Sequence, residues 1–483
     1  MALFTVDVWC VQQAAVKYSH TIRYKVQHHT PSMRGFYSVS LNLWNSLAAT
    51  WLTLSLTPFI ILQAASKQNT WAAMAPSAVD VQQAVQQITE KVLPGKQDKV
   101  EISVLPVREN KTETDTASKA PLPKPADGVV PETLKGHKEP LKLSGALDKF
   151  HSFDVTPIIG REFTNVDLAE WLHAPNSDEL LRDLAITISQ RGVVFFRKQD
   201  NITDDLQKEL IQRLGELSGK PSTSKLHIHP VSNAAREDNG KDDEISVISS
   251  TQAKKLYSDK TKELGNFGNR QSGKQQWHSD ITFEPIPSDY AVLRLTKLPK
   301  TGGDTLWASG YELYDRISPT LRNLLDTLTA YYAQPGFNDA ANRNGFSLYT
   351  SERGAPENVG DLLEAIHPVI RTNPVTGWKS VFAVGHHVQR IYGLSEDESK
   401  HFLDWFVQLI VENHDLQVRY RWQDVNDLAI WDNRSVYHSA TWDYLYEPGL
   451  GERTGSRAVS LGEKPYIDPQ STSRREALRK QEA

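Results

Sequence analysis

Along the chain, apolar residues recur with two different spacings, one typical of amphipathic helices and one typical of strands. The helical spacing covers 180–191 and 204–217, so each stretch predicts a helix with one buried face. Between them, 192–197, in which 193–196 are all apolar, predicts a short buried strand. Farther on, the period of two over 290–298 predicts another strand, so this part of the chain combines both element types.

The C-terminal half combines helix signals with several short strand signals. Residues 311–332 have helical spacing interrupted near Pro319, and the capping box at 395–398 predicts a helix that runs to about Asn413. Residues 432–434 have the composition of a turn. Strand-like runs lie at 415–422, 427–431 and 435–441. Many short strands with a few helices predict a mainly β fold with flanking helices, of the β-sandwich or jelly-roll type.

The N-terminal third has a different character. No charged residue occurs from Gly35 to Ser66, and within this stretch 43–65 is mostly apolar and long enough to span a bilayer. Met74 opens a sequence of ordinary composition. We therefore interpret residues 1–73 as an N-terminal extension that is not part of the working protein. A membrane anchor at 43–65 is the alternative.

The rest of the chain divides into three segments. Within 74–140, residues 78–92 are a candidate for a short amphipathic helix, whereas 93–140 are rich in Pro, Lys, Glu, Thr and Asp and contain few aromatic residues. Such a composition buries too little apolar surface to offset the entropy of ordering, so the segment predicts a disordered linker. A folded domain is expected over 141–470, and residues 471–483 form a charged tail.

Composition narrows the classes of function. The chain has 483 residues, of which 39% are hydrophobic and 23% are charged, and its net charge is −5. This balance is typical of a soluble protein and gives no electrostatic reason to expect nucleic-acid binding. Cys10 is the only cysteine, which excludes an internal disulfide and a cysteine-based zinc site. It fits a reducing compartment, so we expect a cytoplasmic location.

The strongest chemical signal is the motif His278-Ser279-Asp280. In an extended strand, side chains two residues apart point to the same face, so His278 and Asp280 could reach one ion. A distant histidine would complete a 2-His-1-carboxylate triad, which leaves open coordination positions and suits non-haem Fe(II). On its own the tripeptide is equally typical of a strand end at the surface, so its context has to distinguish the two interpretations.

Spacing alone leaves the identity of the second histidine open. His438 lies on a predicted strand directly after the turn at 432–434. His386 and His387 are equally compatible, because one of two adjacent side chains on a strand could face the site. The other candidates are His367, His401 and His414.

Two further motifs could bind anions. The glycines of Gly302-Gly303-Asp304-Thr305 allow a tight turn, and the Thr305 hydroxyl could donate a hydrogen bond to an anionic ligand. Arg453 and Arg457 would share a face of one strand, and arginine pairs well with carboxylates and tetrahedral oxyanions. A simple hairpin turn and a pair of solvated surface arginines are the structural alternatives.

Taken together, these motifs resemble the taurine dioxygenase family of Fe(II)- and 2-oxoglutarate-dependent oxygenases, and within it the fungal sulfonate dioxygenase branch. The resemblance covers roughly residues 145–470. It implies a double-stranded β-helix, which is a jelly-roll relative, with the metal at one open end. Its markers, in family order, are 226–231, 277–283, 302–307, 431–434 leading to His438, and Arg453 with Arg457.

The resemblance also implies roles for the matched residues. His278, Asp280 and His438 look like the Fe(II) ligands of the family, which selects one of the histidines that spacing leaves open. Thr305 and Arg453 look like the anchors of the distal carboxylate of 2-oxoglutarate. The implied cofactors are therefore Fe(II), 2-oxoglutarate as co-substrate, and O2.

On the substrate side, His229 and Arg457 look like the groups that hold a sulfonate, and Ile281 and Phe283 look like residues that line the pocket. The implied reaction hydroxylates a taurine-like organosulfonate at the carbon next to sulfur. It releases sulfite and an aldehyde together with succinate and CO2. We therefore expect a small anionic substrate, and the resemblance is compatible with a homo-oligomer.

Two positions depart from taurine dioxygenase itself. The family tyrosine that follows the substrate-binding histidine is Ser232 here, and an asparagine before the first iron ligand is Lys274. An alkyl sulfate ester, a carboxylate or a specialised metabolite is therefore the alternative substrate for the same cofactors. A non-enzymatic jelly roll with a vestigial triad is the remaining alternative, and the intact triad together with Arg453 argues against it.

Overall fold

The computed structural model describes residues 130–134, 136–231, 242–257 and 272–482, together with the backbone of three strands nearer the N-terminus. The predictions for the rest of 1–129, and for Ser232 and most of the loop around it, lie outside the described residues. The chain divides into two units, 1–120 and 121–483. In the first unit, β1 His20–Lys25, β2 Phe36–Asn42 and β3 Thr53–Phe59 form an antiparallel sheet. Within the described ranges, no helix is long and apolar enough to cross a bilayer.

The second unit is mainly β with flanking helices. Its strands are β4 Ser152–Asp154, β5 Arg161–Phe163, β6 Val193–Phe196, β7 Ile245–Ser249, β8 Ser288–Lys297, β9 Thr305–Ser309, β10 Thr329–Ala333, β11 Glu364–Pro368, β12 Ile370–Thr372, β13 Lys379–Val381, β14 Val388–Ile391, β15 Gln417–Tyr420, β16 Leu428–Asp432, β17 Val436–Ala440 and β18 Thr454–Leu461. Its helices are α1 Leu168–His173, α2 Ser177–Arg191, α3 Asp204–Leu217, α4 Ser250–Leu256, α5 Gly310–Arg316, α6 Pro319–Leu325, α7 Pro335–Asn344, α8 Glu396–Glu412 and α9 Arg474–Glu482.

Two sheets carry the residues of interest. The larger has seven strands in the order β4-β5-β6-β16-β8-β18-β7, and it is antiparallel except for the β5–β6 pair. The smaller has the order β15-β9-β17. Two further small sheets, β11-β10-β14 and β12-β13, complete the unit.

The larger sheet is buried on both faces, which β6 illustrates. Val194 and Phe196 pack with the helices α1, α2 and α3, whereas Val193 and Phe195 pack with residues of the smaller sheet such as Trp307. Because consecutive side chains of a strand point to opposite faces, a strand between two cores is apolar at every position. This explains the continuous apolar run at 193–196.

Most predicted elements coincide with observed ones, but the end of the predicted helix at 311–332 is wrong. The helices α5 and α6 occupy its first part, and Thr329–Ala333 is the strand β10 instead. This strand contains a β-branched residue and two tyrosines, which favour strands. It pairs with β11 on one side and β14 on the other, which are contacts that helical spacing does not reveal.

The segment before the domain is attached to it. The backbone N–H of Leu134 donates to the carbonyl of Ile467, and that of Leu141 donates to Val375. His137 Nδ1 lies 2.6 Å from a carboxylate oxygen of Asp468. Residues 130–134 and 136–140, which the sequence assigns to the linker, therefore pack on the domain in this structure.

Candidate metal and co-substrate site

Three potential metal ligands converge at one point of the second unit. One ligand atom from each of His278, Asp280 and His438 lies within 4.8 Å of the other two. The Nε2 atoms of the two histidines are 3.8 and 3.9 Å from the same carboxylate oxygen of Asp280. Two imidazole nitrogens and one carboxylate oxygen thus surround a space in which one ion could bind.

The local backbone differs from the extended strand that the His-x-Asp spacing suggests. His278 forms an isolated bridge with His438 on β17, with reciprocal backbone hydrogen bonds of 3.1 and 2.8 Å, and the chain then turns. Asp280 lies in this turn, and Ile281 after it has a φ of 61°. The two side chains therefore converge because the chain turns after His278, and the expectation of a regular strand is wrong.

The turn at 432–434 holds this motif in place. The Asn433 carbonyl accepts a hydrogen bond from the Ser279 hydroxyl at 2.7 Å, and its side-chain oxygen accepts one from the backbone N–H of Asp280 at 3.3 Å. The indole N–H of Trp431 donates to the same side-chain oxygen at 2.9 Å. Sequence reasoning treats Asn433 only as part of a turn and misses this role, because the contact joins residues far apart in the chain.

The charge states of the triad suit a divalent cation. Burial alone would raise the pKa of the Asp280 carboxyl group. Arg457, His438 and His278 lower this pKa by more than burial raises it, so it lies well below its usual range and the group is ionised. Burial and His278 lower the pKa of His438 to about 3, so its imidazole is neutral. His278 Nδ1 donates to the Gln276 carbonyl at 2.7 Å, which leaves Nε2 as the metal-facing atom.

One orphaned atom supports the same interpretation. The Oδ2 atom of Asp280 is buried and has no hydrogen-bond partner among the described residues. A buried carboxylate oxygen without a partner is costly unless a ligand completes it. The N, N, O donor set therefore fits a non-haem iron of the facial-triad type.

A candidate site for an anion lies on the smaller sheet, which also carries His438. Thr305 on β9 pairs with Ala440, two positions beyond His438 on β17. The Thr305 hydroxyl oxygen accepts hydrogen bonds from Arg453 Nη2 and from the Trp422 indole, both at 3.1 Å, so its own proton is left for a ligand. Arg453 is 5% exposed and forms no ion pair with a carboxylate in the described part of the chain. A buried, unpaired guanidinium predicts an anionic ligand.

The candidate substrate residues are Arg457, His229, Ile281 and Phe283, and Arg457 contacts Asp280 directly. Arg457 Nη1 donates to Asp280 Oδ1 at 3.0 Å, while its buried Nε has no partner among the described residues. Burial and Arg457 hold the pKa of His229 well below its usual range, so its imidazole is neutral. Ile281 and Phe283 are buried beside the triad.

The other described histidines contribute no atom to this group of three ligands, although the rings of His386 and His387 lie 5.0 and 6.3 Å from that of His278. His367 is buried, with Nε2 3.0 Å from the Glu284 carbonyl. His387 is buried with Nδ1 3.0 Å from the Thr282 hydroxyl, and His386 is exposed. His401 and His414 are exposed at α8 and just after it. Among the described residues, His438 is thus the histidine that joins His278 and Asp280.

Sequence reasoning also misses two aromatic neighbours of the pocket. The ring of Phe337 on α7 lies 5.6 Å from that of Phe283 and 5.0 Å from that of His229, and the ring of His387 lies 5.1 Å from that of Phe283. No spacing rule links these positions, because they come from four separate segments. Lys274, in contrast, is exposed in a short 3-10 helix before the motif.

Comparison with known proteins agrees with this geometry. The sequence profile of the family described as "Taurine catabolism dioxygenase TauD, TfdA family" matches residues 151–459, which include the triad and both arginines. The chain belongs to this family. Its members are α-ketoglutarate (2-oxoglutarate)-dependent dioxygenases, and this TauD/TfdA protein is one of them.

Two of the fungal relatives of this TauD/TfdA protein match it over nearly their whole length, and a third matches over about two thirds. "Alpha-ketoglutarate-dependent dioxygenase btcD" of Neocamarosporium betae is 54% identical over 346 residues, which are 70% of this chain and 98% of the relative. "Alpha-ketoglutarate-dependent dioxygenase esdpJ" of Penicillium shearii is 46% identical over 71% of this chain and 98% of the relative. "Alpha-ketoglutarate-dependent sulfonate dioxygenase" of Saccharomyces cerevisiae is 29% identical over 65% of this chain and 67% of the relative.

Proposed function

We propose that this protein oxidises an organosulfonate at the carbon next to sulfur, releasing sulfite and an aldehyde, with 2-oxoglutarate converted to succinate and CO2. The observation that carries the proposal is Arg457. Its partly buried side chain, 11% exposed, donates to Asp280, and its Nε has no partner among the described residues, so it can bind an anionic head group beside the metal ligands. The name of the yeast relative supports a sulfonate as that anion.

We assign the metal and the co-substrate to separate groups of residues. His278, Asp280 and His438 would hold Fe(II), which together with 2-oxoglutarate supplies the oxidising chemistry when bound. Arg453 and Thr305 would bind the distal carboxylate of 2-oxoglutarate, because one is an unpaired buried cation and the other a free hydroxyl donor. Fixing that end of the molecule orients its other end towards the triad.

The substrate residues have complementary tasks in this proposal. Arg457 holds the charged head group, and the neutral His229 imidazole adds a hydrogen bond. Ile281 and Phe283 exclude water from the carbon chain of the substrate. We further propose that the seven-stranded sheet and the β15-β9-β17 sheet are the two sheets of a double-stranded β-helix within a catalytic domain at 141–470.

A second candidate substrate is a carboxylate or a specialised metabolite, oxidised with the same cofactors. It is favoured by the identities of the relatives, since the 54% and 46% identical proteins are named without a sulfonate and the sulfonate dioxygenase is 29% identical. Arg457 would pair with a carboxylate as readily as with a sulfonate or a sulfate ester.

One assay separates these candidates. The protein is incubated with Fe(II), 2-oxoglutarate and O2 across a panel of sulfonates, sulfate esters and carboxylates, and succinate and sulfite are measured in parallel. We expect succinate and sulfite in equal amounts with at least one sulfonate. Succinate with carboxylates and no sulfite would favour the second candidate. Absence of succinate with every compound would refute both.

A further inference from the structure

A surface loop connects α7 to β11. It contacts two segments of the candidate substrate pocket, one that carries His229 and one that carries Phe283. This loop, residues 345–363, is called the strap. Most of its residues are exposed, but Arg353, Gly354, Ala355, Asn358 and Leu363 are buried. Four of these five, at 353–358, belong to the part of the loop that is attached to the pocket segments.

The first attachment is to the segment that carries His229. The backbone N–H of Lys225 donates to the Gly354 carbonyl at 2.7 Å, and that of Tyr349 donates to the Pro230 carbonyl at 3.0 Å. Gly354 has a φ of +90°, and a Cβ atom there would lie 2.2 Å from the Leu226 carbonyl oxygen. Only glycine permits this approach, so the strap and the His229 segment are in direct backbone contact.

The second attachment is to the segment that follows Asp280. Arg353 donates to Glu284 through Nε and Nη2, at 2.5 and 2.9 Å, in a two-point ion pair. Asn358 exchanges two hydrogen bonds with the backbone of Ile286, at 2.9 and 2.8 Å. Glu284 directly follows Phe283, so this attachment fixes the pocket wall next to the triad.

The role of the buried Glu284–Arg353 ion pair is better explained by the orientation that it fixes than by a contribution to stability. Both side chains of the Glu284–Arg353 pair are 1% exposed, and a buried ion pair contributes little net stability compared with apolar residues of the same size. A two-point arginine–carboxylate contact does, however, fix relative orientation. His227 Nε2, two residues before His229, lies 3.6 Å from the same Glu284 carboxylate, so both walls meet at this pair.

We propose that Glu284 and Arg353 are a positioning pair that sets the distance between the His229 wall and the Phe283 wall, so that the strap determines substrate binding. This inference rests on the proposed function for its substrate. The strap forms no hydrogen bond with Thr305 or Arg453 among the described residues. Binding of 2-oxoglutarate is therefore independent of the pair.

Two different variants test the pair, so that the test does not depend on a single variant being able to fold. Arg353→Lys keeps the charge but loses the two-point contact. The double variant Arg353→Met, Glu284→Gln removes both charges, so that neither is left buried alone. Arg213→Met is the control, because it removes an ion pair with Asp178 (2.7 Å) between the helices α2 and α3.

Hydrogen exchange measured by mass spectrometry tests the strap without a substrate. We expect faster exchange in 225–231 and 281–286 for both pair variants, with 436–440 unchanged, and no change in these segments for Arg213→Met. The Fe(II)–2-oxoglutarate absorption band should titrate as in the unmodified protein. Uniformly faster exchange, or a matching loss of 2-oxoglutarate affinity, would show that the pair only stabilises the fold and would overturn the proposal.

Kinetics with the best compound of the substrate panel complete the test. In both variants kcat/KM for that compound should fall on the order of 10- to 100-fold, mainly through KM, because a displaced wall misaligns the substrate. An unchanged KM would contradict the positioning role. If no panel compound is oxidised, the proposed function fails, while the exchange and 2-oxoglutarate measurements still decide whether the pair positions the two walls.

Discussion

Arg453 and Arg457 lie close together in the chain but contact different partners. Arg453 reaches Thr305 and Arg457 reaches Asp280, so replacing each should separate two binding events. Arg453→Met should raise the 2-oxoglutarate concentration for half-saturation about 10- to 100-fold, because a charged hydrogen-bond donor is lost. Arg457→Met should leave that value nearly unchanged and abolish substrate-stimulated succinate formation.

Anaerobic titration of the Fe(II)–2-oxoglutarate band measures the first effect, and a succinate assay measures the second. Arg457→Lys is the control, since it keeps a positive charge next to Asp280 and should retain part of the activity. Equal losses of 2-oxoglutarate affinity in both Met variants would contradict the division of roles.

Asp280 should be required for metal binding and dispensable for folding. Among the described residues, Arg457 is the one charged side chain that donates a hydrogen bond to its carboxylate, and Asp280 lies in a turn outside the regular strands and helices. Asp280→Ala should weaken Fe(II) binding by at least about 100-fold, more than typical changes behind the ligand shell. Anaerobic metal titration measures this loss, and far-UV circular dichroism should remain unchanged. Unaltered Fe(II) affinity would rule out the triad as the metal site.

At the residue scale, the sequence predicts the chemistry of the site better than it predicts the geometry of the site. The His278-Ser279-Asp280 motif predicts a metal site, yet spacing could not choose His438 over His386 or His387. The choice depends on a backbone bridge between residues far apart in the chain. For the same reason Asn433 escaped notice, because its partner Asp280 is 153 positions away.

At the element scale, the segment before β14 packs directly against the metal motif. Gly385 has a φ of +101°, and a Cβ atom there would lie 2.8 Å from both the His278 Cα and the Trp277 carbonyl oxygen. Gly385→Ala should therefore displace His278 and destabilise the fold by about 1–3 kcal/mol through overpacking, beyond the cost of the left-handed backbone.

Gly449→Ala is the matched control for this prediction. Gly449 has a φ of +77° with nothing within 4 Å of the added Cβ atom, so it carries only the backbone cost of about 1–2 kcal/mol. Urea denaturation measures both stabilities, and metal titration measures both affinities. Weakened Fe(II) binding should occur in Gly385→Ala alone; the same loss in the control would refute the packing argument.

Elements with a local signal could be predicted from the sequence, and elements defined by distant partners could not. The helix Asp204–Leu217 and the capped helix Glu396–Glu412 coincide with their predictions, because apolar spacing and caps are encoded within them. Strand β10 was missed because its partners β11 and β14 lie far along the chain. The strap has no regular pattern at all, since its attachments are single residues in an irregular loop.

At the scale of the whole molecule, the domain within the second unit should function without residues 1–129. A protein that begins at Val130 keeps the contacts of Leu134, His137 and Leu141 with the domain and should bind Fe(II) and 2-oxoglutarate with unchanged affinity. A protein that begins at Gly145 loses these contacts and should have a lower thermal denaturation midpoint. Equal midpoints would show that 130–144 do not stabilise the domain.

Buried histidine makes the stability of the molecule depend on pH. Burial and Arg371 lower the pKa of His367 to about 3, from the usual 6.5. Below 6.5 the unfolded chain therefore binds a proton that the folded chain does not, and the unfolding free energy falls with pH by up to about 1.4 kcal/mol per unit until pH 3 is approached. Above pH 6.5, protonation of His367 no longer lowers the free energy of unfolding.

His367→Gln should flatten this dependence, since glutamine keeps a donor for the Glu284 carbonyl but does not titrate in this range. Urea unfolding at pH 7.5, 6 and 5 measures the slope for both proteins. An identical slope in the variant would show that other groups account for the acid sensitivity.

The left-handed backbone of Ile281 has a consequence for how the site is loaded. A β-branched residue with a φ of 61° carries strain of about 1–3 kcal/mol, which the surrounding packing must offset when the chain folds. The packing that offsets this strain also fixes the direction of the Asp280 carboxylate before any ion binds. Loading with metal then needs no rearrangement of the backbone, and the ion can leave and return while the domain stays folded.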